Sequence, residues 1–529
     1  MQAWYIKGAS SGKIQSALQQ SVICARPDGP AGRSFKPVIP FLITLLSFVT
    51  LFSSAQTDKD FYIQGNNNRV AAEWEPALGT MIVWPLCLPS KLVIELAKDD
   101  HLYTLVVNDS AKKEAQQWFG KWGIDPARTT FIYALQGIDA WWVRDWGPSA
   151  VFSPSGKMAF GDGKYIYSTP VTNIGCNDSL EFLYKTADKK IIKTETDDNA
   201  TIPFGKGMNT DVLDLPFANT GGNVLTDGLG TAFSTCILIN ENKFYGVSKD
   251  QFIDLNKNLL GISTYNIISN FEKKGIQHID CYMKLLDEER ILVCEPPADH
   301  NHYTIYQNII DNELSKLKTP YGRPYEILRI KSARYAGQAL AAYTNAIIIN
   351  KNIYVPLFHI PQDNEALQRW KEVMPGYTVK GFEFTIAAEP YDTKHLKGHY
   401  PAYGWNDGDA LHCRTRAIWD PNMLFISAKR VDKEVDPQHK NIVYITIIDY
   451  SNKGLLKGYA ELAWRVAGSP NWSHVALKTS GNENNFFAEI PYHKPGATIE
   501  YYISAASMSG RKETMPKTAP IGLYKFSIK

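Results

Sequence analysis

Five side chains in four separate stretches of the sequence could together hydrolyse a cationic carbon–nitrogen group. They are Asp145, His278, Asp280, Asn345 and Cys413. Cysteine is a soft nucleophile, histidine can transfer protons, and two carboxylates can hold a cation. Hydrolysis of a guanidinium group needs this combination, because the cation must be bound, its central carbon attacked and the departing ammonia protonated.

Each of these residues also has an ordinary structural explanation. A single cysteine is more often a small buried apolar residue than a nucleophile. His278 and Asp280 alternate in a strand-like segment and would face the same side, as a structural ion pair also would. Asp145, next to Arg144, could form a structural salt bridge. The residues therefore indicate chemistry as a set, not singly.

The elements that must position this set read as a mixed α/β domain over residues 66–430. Helical periodicity appears at 110–119 and 364–370. Short β-branched and aromatic runs predict strands at 81–84, 130–133, 346–349 and 352–355. No internal sequence repeat is visible.

The C-terminal part has a different character. Residues 431–440 form a charged, proline-containing linker. Beyond it, short β-rich runs at 443–447, 461–466, 486–490 and 498–503 are separated by Gly, Ser, Asn and Pro. This pattern predicts an immunoglobulin-like β-sandwich over residues 441–529, with a spacer or docking role.

The N-terminal part predicts export. An apolar run at 41–52 follows Arg33 and Lys36 and precedes the small residues 53–55, which is the order of a secretory signal. We expect residues 1–55 to comprise a signal peptide with an upstream extension, and the mature protein to be periplasmic or secreted without stable membrane association. An uncleaved anchor is the alternative, although the run is short for a bilayer.

Composition excludes some partners and leaves others open. Lys+Arg 56 against Asp+Glu 54 gives no reason to expect nucleic acid binding. The seven cysteines form no compact disulfide framework, and Cys236 and Cys294 lie in apolar runs typical of buried core residues. The sequence does not indicate an oligomeric state.

Five motifs occur in the order found in one enzyme family. They are residues 73–85, Trp142–Pro148, Gly221–Gly228, His278–Asp280 and His412–Cys413. Between about residues 70 and 420, the chain resembles the agmatine deiminase and Porphyromonas-type peptidylarginine deiminase family. Five ordered motifs are much more specific than any one of them.

The resemblance implies a fold of ββαβ units around a pseudo-fivefold axis, with the site at its centre. It implies that Asp145 and Asp280 bind the guanidinium and that Trp142 lies against its face. Cys413 would attack the central carbon to form a thiouronium, and His278 would protonate ammonia and then activate water. The position of Asn345 is near the substrate, and no metal or organic cofactor is implied.

The resemblance leaves the substrate open between an arginine-containing peptide and a small guanidine such as agmatine. The Porphyromonas-type enzyme binds the carboxylate of a C-terminal arginine with an arginine pair. The corresponding stretch here, Tyr167–Val171, contains no arginine. Preference for a C-terminal arginine is therefore not expected.

Two other classes of protein use similar residues. A papain-like cysteine protease also needs Cys and His, but no Cys-Gly-Ser-Cys-Trp pattern occurs. A metal-binding protein could use His278, Asp280, His300 and His302, but the helical zinc-protease signature is absent.

Overall fold

The computed structural model describes residues 67–135, 137, 141–165, 195–272, 276–397, 404–406, 408–437 and 440–529. The predicted signal peptide at 1–55 and the stretch 167–171 lie outside these residues. The described residues belong to one compact unit within Gln56–Lys529.

Helices occur only in the N-terminal part of the described chain. They are α1 (Ser90–Asp99), α2 (Asp109–Lys121), α3 (Val143–Trp146), α4 (Glu195–Asp198), α5 (Thr201–Gly207), α6 (Ile237–Phe244), α7 (Lys249–Leu260), α8 (Tyr303–Asn312) and α9 (Gln362–Val373). The helices predicted at 110–119 and 364–370 are confirmed as α2 and α9. None of the described helices has the length and apolar character needed to cross a bilayer.

The first nineteen strands are short and largely buried. They are β1 (Arg69–Val70), β2 (Ala77–Val83), β3 (His101–Val106), β4 (Thr129–Tyr133), β5 (Ser149–Phe152), β6 (Met158–Lys164), β7 (Asp211–Ala218), β8 (Leu225–Thr226), β9 (Thr231–Thr235), β10 (Thr264–Ile268), β11 (Met283–Leu285), β12 (Arg290–Glu295), β13 (Glu326–Lys331), β14 (Arg334–Ala336), β15 (Ala339–Leu340), β16 (Ile347–Ile349), β17 (Asn352–Leu357), β18 (Thr378–Glu383) and β19 (Arg416–Trp419). The four strands predicted in this part are confirmed as β2, β4, β16 and β17.

Five sheets in the described chain repeat one pairing pattern. In each, an antiparallel strand pair is followed, beyond one or two helices, by a strand parallel to the second member of the pair. The sheets have the orders β19-β2-β3-β4, β1-β5-β6-β7, β8-β9-β10, β11-β12-β13 and β16-β17-β18. The repeat is structural, since the sequence shows none.

Local signals explain where these elements begin and end. In α7, the Ser248 side chain accepts from the Gln251 amide while the Gln251 side chain accepts from the Ser248 amide. The helix ends at Gly261, which has a φ of 71°. A Cβ there would lie 1.8 Å from the Asn68 carbonyl oxygen, so glycine is required for this close approach as well.

The C-terminal strands form two sheets. The strands are β20 (Leu424–Lys429), β21 (Glu434–Val435), β22 (Asn441–Asp449), β23 (Glu461–Val466), β24 (Ser473–Ala476), β25 (Lys478–Ser480), β26 (Asn482–Ile490), β27 (Thr498–Ala506), β28 (Lys512–Met515) and β29 (Tyr524–Ile528). One sheet has the order β20-β22-β26-β25; the other has the order β21-β29-β27-β23-β24, with β28 paired to β27. Side chains from both sheets share one apolar core.

The C-terminal sheets are joined to the α/β part in sequence and in packing. β20 begins at Leu424, inside the range 66–430 assigned to the catalytic domain, and pairs with β22. Phe425 and Tyr450 belong to the core of the α/β part. The buried Arg69 bonds Glu75 at 2.6 Å and the Tyr450 hydroxyl at 3.0 Å. The two parts therefore share interior contacts.

Candidate active site

Each of the five repeated sheets is preceded by a short segment that carries a candidate site residue. Asp145 precedes β5, Gly222 precedes β8, Asp280 precedes β11, Asn345 precedes β16 and Cys413 precedes β19. Equivalent positions in the five structural repeats thus contribute residues to one candidate site. The segments are recognisable one by one in the sequence, whereas their equivalence is visible only in the fold.

Asn345 holds the turn that carries Cys413. Its Oδ1 accepts hydrogen bonds from the amides of Ala410, His412 and Cys413 at 3.2, 3.0 and 3.4 Å. Its Nδ2 lies 3.2 Å from Cys413 Sγ, as a donor to the sulfur. The fully buried Asn345 therefore positions the cysteine and presents an N–H group that favours the thiolate.

Asp280 lies beside the same sulfur. Its Oδ2 is 3.8 Å from Cys413 Sγ, and both residues are buried. Asp280 belongs to a 3₁₀ turn, Ile279–Cys281, with the extended His278 in front of it. The strand-like interpretation of His278–Asp280 is therefore wrong: the Ile279 amide donates to Asn223 Oδ1 at 3.0 Å instead of to a neighbouring strand.

Gly222 shows how closely the charged groups converge. A Cβ on Gly222 would lie 2.5 Å from Asp145 Oδ1, 3.1 Å from His278 Nδ1 and 3.3 Å from Asp280 Oδ2. The Gly222 amide donates to Asp145 Oδ1 at 3.1 Å, and this oxygen lies 3.5 Å from His278 Nδ1. The structure therefore brings together all four predicted catalytic residues, since Asp280 also contacts Cys413.

Trp142 is placed by a separate ion pair. Its Nε1 donates to Asp409 Oδ2 at 3.0 Å, and Asp409 in turn accepts from Nε and an Nη atom of Arg414 at 2.9 Å each. Arg414 follows Cys413 directly, so the turn that presents the thiol also fixes the half-buried indole. Trp142 is thus linked to Cys413 through Asp409 and Arg414, and its indole can form one wall of the site.

A buried network behind Asp280 was missed from the sequence. His412 Nδ1 lies 2.6 Å from Asp280 Oδ2, and His412 Nε2 lies 2.7 Å from Glu73 Oε2. Each of these short contacts requires a hydrogen between nitrogen and oxygen, so the three groups share two protons. Lys284 Nζ is 3.2 Å from both oxygens of Glu73 and offsets the remaining negative charge.

The sequence indicated some residues of this network but not the contacts between them. Glu73 lies in the first family-like motif and His412 precedes Cys413, but nothing showed that their side chains meet. Lys284 lies in β11, an otherwise apolar strand, and is almost completely buried. A lysine at a buried strand position is itself a signal of a buried carboxylate partner.

The carboxylates shift the pKa values of the histidine and the thiol. Burial alone would lower the pKa of His278, but Asp145, Glu241 and Asp280 outweigh it and raise that pKa to about 9. Burial, and then the charge of Asp280, raises the pKa of Cys413 to about 11. His278 is therefore a proton donor at neutral pH, and the thiolate needs a nearby cation to form.

The pKa of Asp280 is lowered. Burial opposes this change, but the hydrogen bond from His412 and the charges of His412, His278 and Lys284 outweigh it. Asp280 is thus an anion at neutral pH and suits a cationic ligand. Glu241, which accepts from the Thr220 hydroxyl at 2.7 Å, has a pKa raised by burial to about 7.

One cysteine, Cys236, differs in its bonding state from the sequence-based expectation. Cys236, interpreted as a buried core residue, is buried but disulfide-bonded. Cys294 lies in β12 as a buried reduced residue, as expected. Cys281 is also reduced and lies next to Cys413, which the sequence did not indicate.

The alternative metal site is not assembled. His300 Nε2 bonds the Gln338 carbonyl oxygen, and His302 lies 3.7 Å from Glu272. Among described residues, the one group of three or more His, Cys, Asp or Glu donors close enough to share an ion is Asp280, Cys281 and Cys413.

The fold and this arrangement together define a deiminase-type site, and comparison with known proteins agrees. The model of the Porphyromonas-type peptidyl-arginine deiminase family matches residues 69–389, which is more than half of the chain. The chain belongs to this family. The match ends before Cys413.

Relatives and solved structures are similar over the α/β part. A Shewanella baltica (strain OS223) protein named "Putative agmatine deiminase" is 24% identical over 264 residues, which cover 45% of this chain and 67% of the relative. A substrate-bound cysteine-to-serine variant of the C. jejuni agmatine deiminase has a TM-score of 0.50 at 17% identity, covering 68% of this chain and 98% of that chain. A further structure of a "putative agmatine deiminase" has a TM-score of 0.51 at 19% identity, covering 66% and 96%.

These findings make the protein a hydrolase of C–N bonds in linear amidines, of the agmatine deiminase or arginine deiminase type. They do not support the cysteine protease and metal-binding alternatives.

Substitution of Gly222 by Ala tests the convergence of the site. The added Cβ must displace Asp145 and His278, so we expect guanidine hydrolysis to fall at least about 100-fold, the scale for a misplacement of about 1 Å. The melting temperature should change little, since the displaced atoms are side-chain ends. Gly120→Ala in α2 is the control, because a Cβ there meets nothing within 4 Å; equal activity of the two variants would contradict the geometry.

The pH dependence of thiol alkylation tests the electrostatics. Because the pKa of Cys413 is raised to about 11, its modification by iodoacetamide without substrate should rise about tenfold per pH unit from about pH 7 to about pH 10. Peptide mapping measures the modified fraction at Cys413. In the Asp280→Asn variant, the rise in the modification rate should occur at lower pH, because the negative charge beside the thiol is gone. A wild-type rate that is already constant near neutral pH would contradict the expectation, since the thiolate would then form without a bound cation.

Proposed function

We propose that the protein hydrolyses an arginine-type guanidinium group, converting peptidylarginine to peptidylcitrulline and ammonia through a covalent intermediate on Cys413. One observation carries the proposal: an imidazole and two carboxylates meet next to Gly222, and one of these carboxylates, that of Asp280, contacts the buried Cys413 thiol. A planar cation with several N–H donors suits this group of acceptors.

Substrate binding is assigned to the anions and the indole. Asp145 and Asp280 would each accept N–H bonds from the guanidinium, whose charge compensates two buried carboxylates. Trp142, held by Asp409, would lie against the face of the cation. The same cation would lower the pKa of the Cys413 thiol, so that the nucleophile forms when substrate is present.

Two half-reactions then follow. The Cys413 thiolate attacks the guanidinium carbon, and the leaving nitrogen takes a proton from His278 and departs as ammonia, which leaves a thiouronium. Neutral His278 next takes a proton from water, and the resulting hydroxide attacks the same carbon. The C–S bond then breaks and the added oxygen loses its proton to solvent, which releases the neutral ureido product and the thiolate. These steps call for no metal ion or organic cofactor.

We also propose that the five repeated sheets close around a pseudo-fivefold axis with the site at its centre. The proposal is supported by the five equivalent segments that carry Asp145, Gly222, Asp280, Asn345 and Cys413, because such segments converge most simply on a rotation axis. For the C-terminal sheets, which share one core, we propose an immunoglobulin-like sandwich.

Trapping of the intermediate tests the mechanism. Acid quenching during turnover should show, by mass spectrometry, a substrate-derived adduct on the peptide that contains Cys413. Cys413→Ser should reduce ammonia release to background at an unchanged melting temperature, because a hydroxyl is a much weaker nucleophile. Cys294→Ser, which alters another buried thiol, should keep the wild-type rate; retained activity in Cys413→Ser would refute the mechanism.

Agmatine is the second candidate substrate, with N-carbamoylputrescine as the product. The names of the relatives favour it, whereas the expected export and the C-terminal sheets favour a peptide substrate. We retain peptidylarginine as the first candidate.

A substrate panel separates these candidates. The stretch 167–171 lacks an arginine to pair with a substrate carboxylate, and a buried carboxylate without a partner is unfavourable. We therefore expect similar kcat/KM values for matched peptides with internal and C-terminal arginine, measured by citrulline formation. Agmatine and free arginine complete the panel. A strong preference for C-terminal arginine would show that another residue binds the carboxylate.

We further propose that the protein is exported. The apolar run at 41–52 supports this location, and so does the disulfide at Cys236, since disulfides persist in oxidising compartments. N-terminal sequencing of the protein recovered from the periplasm or medium should give a start close to residue 56. Recovery only from the cytoplasm with an intact N-terminus would contradict the proposal.

A further inference from the structure

A second thiol lies beside the proposed nucleophile and has no part in the mechanism above. Cys281 and Cys413 are both buried and reduced, and their sulfurs and an oxygen of Asp280 lie within 4.8 Å of one another. The two cysteines are far apart in sequence. Their proximity is therefore a product of the fold, with one following Asp280 and the other preceding β19.

The contacts of Cys281 direct its thiol toward the segment that carries Cys413. Cys281 Sγ lies 3.3 Å from the Gly408 carbonyl oxygen, and a Cβ on Gly408 would lie 3.0 Å from this sulfur. Glycine at 408, with a φ of 93°, thus leaves room for the thiol.

A single amide group faces both sulfurs. Asn345 Nδ2 lies 3.2 Å from Cys413 Sγ and 3.9 Å from Cys281 Sγ. A donor in this position stabilises negative charge on either sulfur. The thiol of Cys294 has different surroundings, because its close contact is the Thr344 hydroxyl at 3.3 Å.

We infer that Cys281 is a resolving thiol for Cys413, and that the pair is a site of reversible oxidation by hydroperoxides. The regulatory consequence rests on the proposed function, in which Cys413 is the nucleophile. A disulfide between the two sulfurs removes the nucleophile and stops turnover. Reduction restores both thiols and the activity.

The chemistry balances with a hydroperoxide as the oxidant. The Cys413 thiolate attacks the outer peroxide oxygen, the O–O bond breaks, and water or an alcohol leaves, so that Cys413 becomes a sulfenic acid. The Cys281 sulfur then attacks the Cys413 sulfur, the S–O bond breaks, and hydroxide leaves as water with the Cys281 proton. Two electrons pass from the sulfurs to the peroxide. Disulfide formation also protects Cys413 from irreversible oxidation to sulfinic acid.

The test compares the full-length wild type with Cys281→Ser and Cys294→Ser. Each reduced protein is treated with hydrogen peroxide at alkaline pH, at which the Cys413 thiolate forms without substrate. It is then returned to neutral pH, assayed for guanidine hydrolysis, and assayed again after addition of dithiothreitol. Peptide mapping by mass spectrometry under non-reducing conditions records any link between residues 281 and 413 and any oxidised form of Cys413. The mapping does not depend on activity, so it separates this inference from the assignment of the nucleophile.

We expect the wild type and Cys294→Ser to lose activity, to contain the 281–413 link, and to regain most activity on reduction. Cys281→Ser should start with comparable activity, lose it on oxidation and regain less than about a tenth, because its sulfenic acid proceeds to sulfinic acid. Failure to find the link in oxidised wild type would overturn the inference, even if Cys281→Ser did not fold. Full recovery in Cys281→Ser, or recovery of the wild type with a metal chelator alone, would overturn it as well.

Discussion

The burial of several carboxylates around one thiol is the constraint on which this site depends. Buried Asp145, Asp280 and Asp409 act on the thiol, while buried Glu241 acts on His278 and the largely buried Glu73 contacts His412. A buried charge is costly unless it is paired, and the fold supplies Lys284 for Glu73, Arg414 for Asp409 and His412 between Glu73 and Asp280. Asp145 accepts from the Gly222 amide and lies 3.5 Å from His278 Nδ1. In the proposed mechanism a cationic substrate would complete the balance, and recognition and activation of the thiol would then have the same electrostatic origin.

The repeated sheets explain how such distant residues meet. Each sheet begins just after a segment that carries a site residue, so five rigid strand pairs hold five short segments. The segments differ in what they contribute. Asp145, Asp280 and Cys413 supply two carboxylates and a thiol, Asn345 holds a turn, and Gly222 supplies a backbone amide and the space left by its missing side chain. Segments anchored by strands can differ in sequence while the geometry persists.

Regular elements with strong periodicity were predictable, and irregular ones were not. α2 and α9 show amphipathic patterns, and strands such as β17 are continuous apolar runs. His278–Asp280 alternates like a strand, but the Ile279 amide donates to the side chain of Asn223 from another segment, which no local pattern reveals. The C-terminal sheets begin at Leu424, before the predicted boundary at residue 441. The apolar pattern of β20 does not indicate that this strand pairs with β22.

The sequence by itself determined the chemical inventory: a cysteine, a histidine and two carboxylates, in motifs ordered as in the deiminase family. The tertiary structure decided which groups touch. Glu73 meets His412, Lys284 meets Glu73, and Cys281 lies beside Cys413. The physical reason is that these contacts join residues distant in the chain, and their distances are set by the mutual placement of separate sheets. Local residue preferences carry no information about that placement.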